Sequence, residues 1–125
     1  MSSQNYDLIV DNDKPVLHYR FWRSDENLGN VLIVPGYRNH ANMHYELGDY
    51  LCSQGYNVMA IDLRGHGLST GKRFSAHSFD FYAEDISRAL KQYKNVLGNP
   101  EKFTAKIIAH SHGGLLMHYY KMKHD

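Results

Sequence analysis

The chain has a single cysteine, Cys52, so no disulfide can close within it. No apolar run approaches the roughly 20 residues that span a bilayer. The N-terminus, MSSQNYDLIV, lacks the basic and then long apolar layout of a secretory leader. A reducing, cytoplasmic setting is the expectation, with at most peripheral contact with membranes. A surplus of one charge is missing too: the formal net charge is +1 and acids and bases are interspersed, so nothing electrostatic points to nucleic acid or an anionic surface as partner. Internal repeats and low-complexity linkers are also absent. What remains is a chain of 125 residues, 42% hydrophobic and 22% charged, which suits one globular unit with a modest core.

Taken in order, the β-rich runs Leu8 to Val10 and Val16 to Arg23 flank Asp11-Asn12-Asp13, which favours a turn; an antiparallel hairpin at a sheet edge is expected. Val31 to Val34 and Asn57 to Asp62 are continuous apolar runs of the kind that parallel strands show when both faces are buried. Between them, Met43, Leu47, Tyr50 and Leu51 recur at helical spacing up to Gly55. Tyr82, Ile86, Ala89, Leu90, Tyr93 and Leu97 form one apolar stripe, with Asp80 near its start and Gly98-Asn99-Pro100 as its stop. Lys106 to Ser111 is expected as a third buried strand, with a third helix from Gly113. Strands alternating with helices imply an α/β fold: a mostly parallel sheet of right-handed crossovers, helices on both faces, and the antiparallel hairpin at its start.

The chemistry centres on KIIAHSHGG, residues 106–114. A strand runs into a lone serine on an abrupt turn and a helix follows, with the small residues Ala109 and Gly113 two positions either side of Ser111. That arrangement pushes a serine hydroxyl clear of the sheet and makes Ser111 the candidate nucleophile. Acyl transfer also needs backbone donors for the oxyanion. The amide of His112 is one; the other is expected from the loop after the first buried strand, at Tyr37 in PGYRNH.

These motifs together resemble the N-terminal half of an α/β-hydrolase of the monoacylglycerol lipase and lysophospholipase group, also known as serine aminopeptidase S33. The resemblance runs through VLIVPGYRNHANMHYELGDYLCSQGYNVMAIDLRGHGLSTGKR, FDFYAEDISRAL and IIAHSHGG. It implies a strand order of 1-2-4-3-5, Ser111 as nucleophile, Tyr37 and His112 as oxyanion amides, and His40 as a residue shaping that loop. It implies hydrolysis of a small-molecule or lipid ester, such as a monoacylglycerol or lysophospholipid, through an acyl-enzyme and without a cofactor. Two positions depart from the family pattern: Pro35 stands where the lipases usually carry histidine, and Ala109 replaces the first glycine of the elbow.

The resemblance also implies an acid and a histidine later in the chain, in the order serine, acid, histidine. The residues after Ser111 offer His112, His118, His124 and Asp125, all on or beyond the helix leaving the elbow. His118 is about 10 Å along such a helix, at roughly 1.5 Å per residue, out of reach of the serine. Upstream, His40 and His44 have no obvious orienting acid. The expectation is therefore a partial α/β-hydrolase domain over residues 1–125, lacking the lid and the C-terminal half and inactive as it stands. The alternative is a non-catalytic remnant or interaction module that keeps the half-fold. Either way the strand leading to Ser111 would be an exposed edge, a route to self-association.

Other motifs are weaker. GHGLSTGKR misses a phosphate loop at His66 and Arg73, and misses the dinucleotide pattern at Thr70. His110 and His112 have metal-like spacing, but their rings diverge around the elbow and no Asp or Glu lies near in sequence. The basic and aromatic tail HYYKMKH suits an amphipathic helix better than a nucleic-acid surface. Asp62, Arg64 and His66 are expected to fix their turn rather than act in chemistry.

Overall fold

Asp11-Asn12-Asp13 does make the first turn: Asp13 takes a left-handed φ of 62° and the Lys14 amide bonds the Asp11 carbonyl at 3.3 Å. It joins β1 (Ser3–Ile9) to β2 (Leu17–Arg23) as an antiparallel pair, with Ile9 opposite Leu17. The structure is a computed structural model that describes residues 3–34, 45–66, 68–71 and 79–109. Beyond the hairpin it contains β3 (Gly29–Val34), α1 (Tyr45–Ser53), β4 (Tyr56–Ile61), α2 (Phe79–Val96) and β5 (Lys106–Ala109). The third helix expected from Gly113 lies outside the described residues.

The five strands form one sheet in the order β1-β2-β4-β3-β5, the order that the family resemblance implies. β2 is antiparallel to β4, while β4, β3 and β5 run parallel. Alternation along the strands divides the core into two layers. On one face Leu17, Tyr19, Phe21, Leu32, Val34, Met59 and Ile61 pack against Tyr82, Ile86, Ala89 and Tyr93 of α2. On the other, Trp22, Val31, Ile33, Val58 and Ala60 pack against Cys52 of α1, with Leu47 and Leu51 at the margin. The stripe from Tyr82 to Tyr93 is thus the face of α2 that covers the sheet; on α1 Leu47 and Leu51 do so with Cys52, whereas Tyr50 of the expected stripe is 61% exposed and Met43 lies outside the described residues.

Local chemistry fixes the helix ends. Gly55 follows α1 with φ of 102°, and its carbonyl accepts the Leu28 amide at 2.7 Å; a Cβ there would lie 2.6 Å from Leu28. Gly98 and Asn99 end α2 in the left-handed region. Close approach sets α1 on the sheet: a Cβ on Gly48 would fall 2.5 Å from the Trp22 ring, whose Nε1 donates to Asp49 Oδ1 at 2.9 Å.

β5, an aliphatic run that by itself reads as a buried strand, stands where the implied strand order puts it: among the described residues it pairs only with β3, and Ile107 and Ile108 are 36% and 39% exposed. Its burial is set by which strand lies beside it, which an apolar run does not encode. No helix among the described residues is long and apolar enough to cross a membrane.

Candidate active site

The three parallel strands end at the same border of the sheet. Val34 of β3 and Ala109 of β5 are register partners, and Ile33 of β3 faces Ala60 of β4. Sites in open α/β sheets lie outside the carboxyl ends of such strands. The segments leaving there are the one after Val34, which carries Tyr37 and His40, the turn after Ile61, and the one after Ala109, which carries Ser111 and His112. Tyr37, His40, His44, Ser111 and His112 lie outside the described residues, as do His118, His124 and Asp125. What the structure supplies is the scaffold on either side of them.

The turn after β4 is fastened to β2. Asp62 donates its amide to the His18 carbonyl at 2.9 Å, and its Oδ2 accepts from His18 Nδ1 at 2.9 Å and from the Leu68 amide at 3.1 Å. Ser69 Oγ donates to the Asp62 carbonyl at 2.6 Å and accepts the His18 amide at 2.7 Å. Thr70 and Val16 exchange two further bonds of 2.8 Å. Within the turn, Gly65 takes φ of 72° and Gly71 φ of 116°; a Cβ on Gly71 would meet the Gly65 nitrogen at 3.2 Å. His66 is buried, its Nδ1 bonds the Arg64 carbonyl at 3.0 Å, and its ring meets Tyr82 edge-on.

The other side of the turn is fastened to α2. The Asp85 carboxylate is fully buried and accepts the Arg64 amide at 2.9 Å, Arg64 Nε at 3.0 Å and Arg64 Nη2 at 2.8 Å. Arg64 also reaches Glu84 Oε1 at 3.0 Å, and its guanidinium lies over the Phe81 ring, 4.9 Å from the centroid. Burial pushes the Asp85 carboxyl above its ordinary range, against the pull of Arg64 and Arg88. Burial works against the Arg64 charge too, but its bonds to Asp85 and Glu84 outweigh that and raise its pKa. The bond from Lys14, at 2.8 Å, is the first cause that lowers Glu84.

His18 and Asp62 form a base and orienting carboxylate in outline. The sequence reading passed over His18; its signal was a polar residue set in a strand otherwise buried on both faces. The pair does not suit Ser111 as a base. β2 is three strand spacings from β5, about 14 Å at 4.7–4.9 Å each, whereas proton transfer needs hydrogen-bond contact. Asp62, Arg64 and His66 therefore act as the sequence suggests, holding their turn. Among the described residues no group of three or more His, Cys, Asp or Glu side chains is placed to hold a metal ion.

The scaffold agrees with known proteins. The family model described as serine aminopeptidase S33 matches residues 25–125. The chain belongs to this family. Over 107 residues it is 29% identical to a monoacylglycerol lipase of Mycolicibacterium smegmatis, covering 82% of this chain and 36% of the lipase. Over 117 residues it is 28% identical to an uncharacterized abhydrolase domain-containing protein of Dictyostelium discoideum, covering 92% of this chain and 12% of that one. The thioesterase domain from the curacin biosynthetic pathway superposes with a TM-score of 0.78 at 22% identity, over 98% of this chain and 40% of that domain. This S33 chain thus has the α/β-hydrolase fold in part, and spans about a third of the lipase it resembles.

Proposed function

We propose that this S33 chain carries the nucleophile half of a serine ester hydrolase. Ser111 Oγ attacks the carbonyl carbon of a small-molecule or lipid ester; the amides of Tyr37 and His112 take the oxyanion; the alcohol leaves, and water hydrolyses the acyl-enzyme to acid. The observation that carries this is the pairing of Val34 with Ala109, because it brings side by side the strand ends from which the PGYRNH and AHSHGG segments continue. The relative named monoacylglycerol lipase supports a monoacylglycerol-type ester as substrate class. The family order of serine, acid and histidine puts the general base and its carboxylate after the nucleophile, and this reading takes turnover to need both.

A fluorophosphonate probe tests the assignment. Labelling at Ser111, located by peptide mass spectrometry and lost in Ser111→Ala, would support a working site in this chain. A folded circular-dichroism spectrum with no label at Ser111 would sink the enzyme reading for this chain. A second reading, a non-catalytic interaction module, draws on the exposed border at Ile107 and Ile108.

A further inference from the structure

β2 presents different chemistry on its two faces. Towards α2 it turns Leu17, Tyr19 and Phe21; towards α1 it turns Trp22 and, by the same alternation, His18 and Arg20. Arg20 is only 6% exposed and lies opposite Ala60 of β4. A cation taken out of water is costly unless charges or aromatic faces around it compensate. Here the compensation comes from two different elements. The Arg20 guanidinium lies over the ring of Tyr45, the first residue of α1, 4.7 Å from its centroid. Tyr45 also meets Trp22 edge-on at 6.4 Å, and Asp49, one helical turn further on, accepts the Trp22 Nε1 bond at 2.9 Å. On the other side stands Asp62, the first residue after β4, whose carboxylate is held by His18 two positions before Arg20. Burial pulls the Arg20 pKa down, and Tyr45, Asp49 and Asp62 pull it back up.

We propose that Arg20 is a positioning residue, one buried cation that fixes the start of α1 and the turn after β4 relative to each other. Both stand at the site border: the turn leaves the end of β4, and α1 is where the chain returns from the segment that carries Tyr37. Resting on the serine-hydrolase reading above, the tie serves to hold the scaffold from which the Tyr37 amide is set for the oxyanion, a task in which small displacements are costly. Trp22, packed against Gly48, holds α1 to the sheet, and His18 and Ser69 hold the turn to β2. The Arg20 charge acts on both.

Amide hydrogen exchange of the 125-residue chain tests the tie. Arg20→Met keeps an unbranched stem and removes the charge; it is expected to speed exchange at least about tenfold at the Asp49 amide in α1 and at the Leu68 amide, which donates to Asp62 in the turn, with the amides of α2 unchanged. Arg20→Lys, which keeps a charge on a similar stem, is expected to recover most of both losses. If Arg20→Met fails to fold, Tyr45→Leu is expected to speed exchange at Leu68, and Tyr50→Leu, 61% exposed on the outer side of α1, is not. Loosening of one element alone, uniform loosening that includes α2, or equal losses in the Met and Lys variants would overturn the proposal. Fluorophosphonate labelling keeps the two readings apart. In a chain that labels at Ser111, Arg20→Met is expected to slow labelling and Arg20→Lys to restore it; unchanged labelling beside loosened amides would overturn the positioning role. An unlabelled wild-type chain with the exchange result intact would fault the active-site assignment and support the tie.

Discussion

The turn after β4 and the strand β5 both stand at the border where the site is assembled, and they are held in opposite ways. Residues 62–71 are bound on one side to β2 through Asp62, Ser69 and Thr70, and on the other to α2 through Arg64 and Asp85. β5 is held by one ladder to β3, and Phe103 just before it packs on Tyr93 at 5.3 Å. The polar residues Asp62, Arg64, His66 and Ser69 of this turn are buried and fastened, whereas the apolar sequence KIIA is half exposed. Hydrophobicity is therefore a poor guide to rigidity here. Satisfied buried hydrogen bonds fix a turn through geometry, while an apolar strand is only as buried as its neighbour makes it.

Removing Asp85 should break the contrast most sharply. Asp85→Ala leaves Arg64, 10% exposed at its side chain, with only the half-exposed Glu84 as a charged partner. Loss of one member of a buried pair costs about 3–5 kcal/mol. The expected outcome is a large fall in the urea midpoint, followed by fluorescence of Trp22, the single and fully buried tryptophan. A change below about 1 kcal/mol, the level of a surface pair, would mean that the turn is not fastened through α2.

Ser69→Ala comes next. The hydroxyl serves the amide of His18 and the carbonyl of Asp62, both of them buried. Leaving a buried amide unpaired costs about 1–3 kcal/mol. Denaturant unfolding is expected to place this variant between wild type and Asp85→Ala.

These side chains also mark where sequence stopped being informative. VLIV, NVMAID and the stripe from Tyr82 to Leu97 announced their elements because periodicity is local, and β3, β4 and α2 follow them closely. The partners of Asp62 and Arg64 did not announce themselves: His18 is 44 residues from Asp62, and Asp85 is 21 from Arg64. Exposure of β5 was legible only through the implied strand order, since KIIA alone looks like a buried strand. Of the site, Ser111, Tyr37 and His112 were legible as motif positions, and the structure adds the paired strand ends that precede them.

A smaller effect distinguishes the outer charges from the inner ones. Lys14 lowers the Glu84 carboxyl, so the ionised form is favoured on folding; this contribution is present above the ordinary glutamate range, near pH 4.5, and is lost as pH falls below it. Both side chains are more than a third exposed, so screening holds the pair to about 0–1 kcal/mol. Lys14→Met is expected to lower the urea midpoint slightly at pH 7 and to match wild type at pH 3. A deficit that persists at pH 3 would assign the effect to packing of the lysine stem.

The smallest expected change is at β5 itself. Ile108→Thr keeps the β-branched shape and replaces the ethyl branch, on a side chain already 39% exposed, with a hydroxyl that water can reach. Surface substitutions of this kind fall within about 0.5 kcal/mol of wild type. That value is expected from urea unfolding followed by Trp22 fluorescence. A large loss would show Ile108 to be buried by its own chain, and the contrast between the fastened turn and the open strand would not hold.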